Sequence, residues 1–181
     1  MLIGLCGKSG TGKSTIANAL IQRGYKKVVT DTTRPPRKGE VNGVDYWFDS
    51  DEQFDELYEE GEFIEVTSYK VANGDTWRYG TTRGQLKDAG EDAVIILNPD
   101  GVKAFRKKGI PIYIWLVDTD YPTLKKRLED RGDNKKEIIR RMQADERDFK
   151  DIEKFIDDTI KNNRNSKLKD ITDKIIKESV L

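Results

Sequence analysis

Gly-Lys-Ser-Gly-Thr-Gly-Lys-Ser, residues Gly7 to Ser14, is the stretch whose reading decides the fold. It fits G-x-x-x-x-G-K-[ST], the spacing of a phosphate-binding P-loop. Glycines let the backbone turn tightly and aim successive N–H groups at phosphate oxygens. Lys13 would set a point charge on the β- and γ-phosphates, and the Ser14 hydroxyl can hold Mg2+. The flanks agree. Leu2 to Cys6 is a short apolar run expected as a buried strand, and Ser14 to Gln22 places Ile16, Ala17, Leu20 and Ile21 at helical spacing. An anion in the loop would also meet that helix's N-terminus, where free N–H groups favour it. The bland alternative is a Gly-rich turn without a ligand, but a mere turn does not require the Lys13-Ser14 pair.

Composition narrows the field. The 181 residues suit one domain. Lys plus Arg and Asp plus Glu number 33 each, so no global basic field points to nucleic acid. Phosphate recognition must come from local clustering. The absence of histidine excludes His-based acid–base chemistry and His metal sites. Cys6, the single cysteine, excludes an internal disulfide and is expected as a buried thiol. The first residues lack a signal-peptide pattern, and no stretch approaches the ~18 apolar residues of a membrane span. A cytoplasmic protein with no membrane partner is expected.

Beyond the first helix, Tyr25 to Thr30 is expected as a strand. Asp31 to Phe48 then carries Arg34, Arg37 and Lys38 around Pro35-Pro36, with Asn42-Gly43 as a hairpin-turn signal before Tyr46. Pro holds the two arginines in a fixed frame, and planar guanidinium forks favour phosphate oxygens, so the segment is expected as a phosphate clamp. Helices are expected over 51–60, 84–89, 100–108, 122–131 and 170–178, with strands over 62–69, 76–81, 92–97, 110–117 and 159–161. A long helix from Lys135 would carry Ile138, Ile139, Met142, Phe149, Ile152 and Phe155 on one stripe, a core-packing surface. Strands alternating with helices around the loop predict an α/β class, a three-layer P-loop fold with a parallel sheet. Arg127 and Arg131 share a helix face, and Arg140 and Arg141 follow beyond the Gly132-Asp133-Asn134 turn. This hairpin is either a salt-bridged surface or an Arg-bearing lid, and phosphoryl transfer would use the second.

With these residues in place, the chain resembles the guanylate kinase family over nearly its whole length. The specific part is Thr32-Thr33-Arg34-Pro35-Pro36-Arg37-Lys38-Gly39-Glu40-Val41-Asn42-Gly43-Val44-Asp45-Tyr46-Trp47-Phe48; Phe63-Ile64-Glu65, Tyr79-Gly80-Thr81, Leu128 to Gly132 and Arg140-Arg141 fall in the family's order. The resemblance implies one domain over 1–181. Its core would be 1–30, 81–122 and 142–181, with a small inserted α+β region at 31–80 for the nucleoside monophosphate and a helical lid at 123–141. It implies that Arg34, Arg37, Tyr46 and Tyr79 hold the acceptor phosphate. Glu65 would face the guanine Watson–Crick edge, with Thr30, Thr81 and Asn98 beside it. ATP would lie on Gly7, Lys8, Ser9, Gly10, Thr11, Gly12, Lys13, Ser14 and Thr15, with Arg127, Arg131 and Asn162. Lys13, Arg37, Arg131 and Arg141 would stabilise the transferring group, and Ser14 would hold Mg2+. A carboxylate suits guanine because N1–H and the exocyclic amine both donate, and adenine offers no such pair.

The sequence also departs from the family. Ile96 and Asn98 stand where it usually has Asp-x-Asp, with Asp100 as the available substitute; the segment between Glu65 and Tyr79 is longer, Lys8 replaces a common Pro, and the lid turn is shorter. The expected activity is transfer of the γ-phosphate of ATP to GMP or dGMP with Mg2+, by a monomer or homodimer. The alternatives are a kinase for another nucleoside monophosphate, or a non-catalytic binding module of the same fold.

Overall fold

The computed structural model describes residues 1–71, 74–130 and 135–179, and of 135–138, 140 and 141 the backbone alone. At its centre lies β1 (Leu2–Cys6), flanked in parallel by β7 (Ala93–Ile96) and β8 (Tyr113–Asp118). With β2 (Lys26–Lys27) and β9 (Asp158–Lys161) at the edges, the sheet order is β2-β7-β1-β8-β9, parallel throughout. The central strands are apolar on both faces because both are covered. Ile3, Leu5, Val94, Trp115 and Val117 point toward α1 (Lys13–Ile21) and α7 (Leu168–Glu178); Cys6, Ile95, Leu97 and Ile114 alternate to the other side, where Val102 and Phe105 of α4 (Pro99–Lys107) pack. Burial there pushes the Cys6 thiol up to about 12, so it is an inert core group.

A second sheet has the order β4-β3-β6-β5, from β3 (Asp31–Thr32), β4 (Trp47–Phe48), β5 (Phe63–Lys70) and β6 (Thr76–Thr82). Between β4 and β5, α2 (Asp51–Glu59) starts on a Ser50–Gln53 capping box and stacks Phe54 on Phe63 at 4.5 Å. A second capping box, Thr82–Gln85, starts α3 (Arg83–Ala89) directly after β6.

Three expectations change. The strand over 25–30 shortens to Lys26–Lys27, because after Val28 bonds Val94 the chain leaves the first sheet and starts the second at Asp31. Asn42-Gly43 does not turn a hairpin. β3 and β4 pair in parallel, and Gly43 (φ 75) lies in a wider loop closed by its N–H to the Tyr46 carbonyl and by the Asn42 side chain accepting from Phe48 N–H. The long helix α6 (Lys135–Asp148) stops short, because Asp151 turns left-handed (φ 63) and starts a 3-10 turn at Ile152–Lys154. Phe149, Ile152 and Phe155 reach the second core layer from that irregular segment.

Candidate active site

Ligands of open parallel sheets collect at the carboxyl ends of the strands. Here four neighbouring strands deliver the site in order. β7 leads through Leu97 to Asn98, β1 runs into the Gly7–Ser14 loop, β8 is followed by Thr119, and β9 by Asn162. Asn162 Nδ2 donates to the Thr11 carbonyl at 2.8 Å, Arg127 Nη1 of α5 (Tyr121–Asp130) reaches the same oxygen at 3.3 Å, and Thr119 Oγ1 lies 3.4 Å from it. The loop is thus tied at the Thr11 carbonyl by residues from three separate segments. Gly12 takes φ 94 with Asn162 pressed against it, leaving no room for a Cβ. Lys13 Nζ donates to the carbonyls of Gly7 (2.6 Å) and Lys8 (2.9 Å), which holds its charge within the loop. Ser14 and Thr15 are exposed on the first turn of α1. The Ser9 N–H donates to Asp145 Oδ2 of α6 at 2.8 Å.

The second sheet supplies the other group. Glu65 Oε1 accepts from Thr81 Oγ1 at 2.7 Å; Thr67 Oγ1 lies 3.5 Å from Glu65 Oε2 and 3.3 Å from Asn98 Oδ1. A register shift between Phe63 and Glu65 sets Glu65 opposite Thr81. Burial pushes the Glu65 carboxyl above its usual range, and the two threonine hydroxyls oppose that. Asn98 is also the N-cap of α4, its Oδ1 accepting from Gly101 N–H at 2.7 Å. Ile96 packs against the apolar core. Asp100 is exposed, 3.4 Å from Lys103.

Arg34, expected as a phosphate fork, is 3% exposed and bidentate to Glu40 at 2.9 Å, with its face over Tyr46 and Phe48. Glu40 also accepts the Arg37 N–H at 2.6 Å. Tyr46 packs edge-on to Tyr79 at 6.0 Å, and Tyr79 lies close enough to favour the charged Arg34 guanidinium. Arg37 itself is exposed. The loop thus brings Arg34, Tyr46 and Tyr79 together, with Arg34 already neutralised. Thr30 contributes its carbonyl to Trp47 N–H. Arg131 lies outside the described residues, and of Arg141 the backbone, inside α6, is described.

A family model described as guanylate kinase matches residues 1–178. The chain belongs to the guanylate kinase family. It is 35% identical over 148 residues to a guanylate kinase of Lactobacillus delbrueckii subsp. bulgaricus, covering 77% of this chain and 70% of that one. To a guanylate kinase of Lactobacillus acidophilus it is 34% identical over 175 residues, covering 90% and 83%. The crystal structure of guanylate kinase from Anaplasma phagocytophilum superposes with a TM-score of 0.69 at 24% identity, covering 98% of this chain and 83% of that one, a likeness of fold.

Several polar groups of this guanylate kinase family member escape a sequence reading. Thr67 had a signal, since i and i+2 share a strand face with Glu65. Glu40 had one too, as the acid inside a Pro-stiffened loop with two arginines. Thr119 and Asp145 had none. No helix among the described residues is long and apolar enough to cross a membrane.

Proposed function

We propose that the Gly7–Ser14 loop holds the phosphates of ATP and that the second sheet presents GMP or dGMP to it. As a guanylate kinase family member, the chain is an ATP-dependent nucleoside monophosphate kinase, and the choice of residues and acceptor is the step taken here. The observation that carries it is the half-buried Glu65. Its carboxylate is desolvated, held by two hydroxyls, and forms no salt bridge among the described residues. Such a group awaits donors, and guanine's N1–H and amine supply two that adenine lacks. The acceptor phosphate is already ionised near neutral pH, so its oxygen needs no side-chain base to attack the γ-phosphorus in line. Lys13, Arg37, Arg131 and Arg141 would stabilise the spreading negative charge.

Mg2+ generally accompanies ATP in guanylate kinases. Among the described residues no group of three or more carboxylate or thiol side chains forms a metal cage. That fits Mg2+ carried mainly by phosphates and water, with the exposed Ser14 hydroxyl as a protein ligand. Bound there, the ion would neutralise phosphate charge.

ADP production from Mg-ATP, measured separately with GMP, dGMP, AMP, CMP and dTMP, tests the reading. Turnover confined to the two guanine nucleotides is expected, and Lys13→Ala should lower it by about 100-fold or more at unchanged fold. Turnover with another acceptor would overturn the base assignment and keep the kinase. One observation favours that rival. Asn98 commits its amide oxygen to α4, so its NH2 donor is the group left for a base, where the family's usual aspartate would accept.

A further inference from the structure

The Ser9 amide in the loop is already taken. Asp145 reaches it from α6, 136 residues along the chain, and accepts the Ser9 N–H at 2.8 Å. Backbone amides in a loop of this kind are aimed at phosphate oxygens. A carboxylate is the closest chemical equivalent a protein carries, an anionic oxygen accepting at the same distance. Lys8 and Lys13 attract it, as they would a phosphate. The carboxylate is not there for comfort: burial disfavours its charge, and Asp148 on the same helix disfavours it further.

A phosphate oxygen and a carboxylate oxygen cannot share one amide without placing two negative charges in contact. One of them must leave. Where the helix that would carry Asp145 away meets α5, the apolar cluster among the described residues consists of Leu124, Leu128 and Met142, against the extended clusters on either face of the main sheet.

We propose that Asp145 is an internal stand-in for a donor phosphate. It holds the Ser9 amide while the protein is free of nucleotide, and Mg-ATP binds by displacing it and releasing α6 from the loop. Because α6 also carries Arg140 and Arg141, arrival of the donor is coupled to the position of that helix. This rests on the reading of Gly7–Ser14 as the donor site.

The test is calorimetric binding of a non-hydrolysable Mg-ATP analogue, without acceptor, to the full chain and to Asp145→Ala, Asp145→Asn and Lys13→Ala. A site occupied by its own carboxylate most of the time loses affinity in proportion to its free fraction. Asp145→Ala should therefore bind about three- to ten-fold tighter, with Asp145→Asn tighter by a smaller factor; the second variant carries the test if the first does not fold. Hydrogen exchange at the Ser9 amide should be slow in the free wild type, fast in free Asp145→Ala, and slow again in both with analogue. Equal or weaker binding by both Asp145 variants, with Lys13→Ala still crippled, overturns the stand-in and leaves the donor-site reading intact. Unchanged binding by Lys13→Ala overturns the donor-site reading, and the stand-in with it.

Discussion

Asp31→Asn should make this protein more stable, and more so as the pH rises. Asp31 is 3% exposed in β3, beside Asp49. Asp31 Oδ2 accepts from Gln85 Nε2 at 2.6 Å, while Asp49 Oδ2 is buried with no hydrogen-bond partner among the described residues. Burial first, and then the Asp49 charge, push the Asp31 carboxyl from 3.8 up to about 7, and Asp49 is raised as well, by burial. The folded chain therefore keeps a proton that the unfolded chain gives up between those two values. Stability falls as pH rises through that window and the loss is complete above it. At ~1.36 kcal/mol per pKa unit, the gap amounts to about 4 kcal/mol. Asparagine keeps an acceptor for Gln85, offers N–H to Asp49 and has no proton to lose. In urea unfolding followed by tryptophan fluorescence, the variant should exceed wild type by about 2–4 kcal/mol near pH 8, with the difference shrinking toward about pH 4. A difference that stays constant from pH 5 to pH 8, or a wild type that gains stability with pH there, would refute the account of a proton retained on Asp31.

Three further outcomes can be stated. Glu65→Gln removes a charged acceptor from the base site and should lower kcat/KM for GMP about 100-fold without creating AMP activity; an unaffected GMP rate would remove Glu65 from the base. Glu40→Ala strands the buried Arg34 guanidinium and should cost about 3–5 kcal/mol in thermal or urea unfolding, so an unchanged midpoint would show that the pair holds nothing. Asn98→Ala should cost about 1 kcal/mol through its lost helix cap while Asn98→Asp should cost almost nothing, which separates the cap from any change in KM for the acceptor.

The sequence made the central architecture legible because its signals were local and agreed with one another. Leu2–Cys6, the glycine loop and Ile16, Ala17 and Leu20 specify strand, turn and helix within about twenty residues, and the apolar run at 92–97 could scarcely be other than a central strand. The failures sit where local chemistry was overruled by distant pairing. Asn42-Gly43 favours a hairpin, but β3 has β6 on its far side and takes β4 in parallel. Apolar spacing carried the long helix on to Phe155, whereas the left-handed Asp151 stops it, and no periodicity announces that. In the site, Glu65 and the loop were legible as residue types. The partners of Arg34 and Ser9 were not, because a charged side chain's occupant is set by folding geometry: Glu40 lies six residues from Arg34, and Asp145 lies 136 from Ser9.

The carbonyl of Thr11 has a consequence for how the molecule is made. Its strongest tie is to Asn162, 151 residues later, just beyond the last strand. A ribosome delivering roughly 5–20 residues per second therefore exposes the complete loop motif for about 7–30 s before the residue that braces it has emerged. Over that interval the loop motif is out while the Asn162 brace on its Thr11 carbonyl is not. A fragment ending before Asp158 would keep every residue from Gly7 to Ser14 and lose the Asn162 brace, and it should bind ATP more weakly than a chain that includes Asn162.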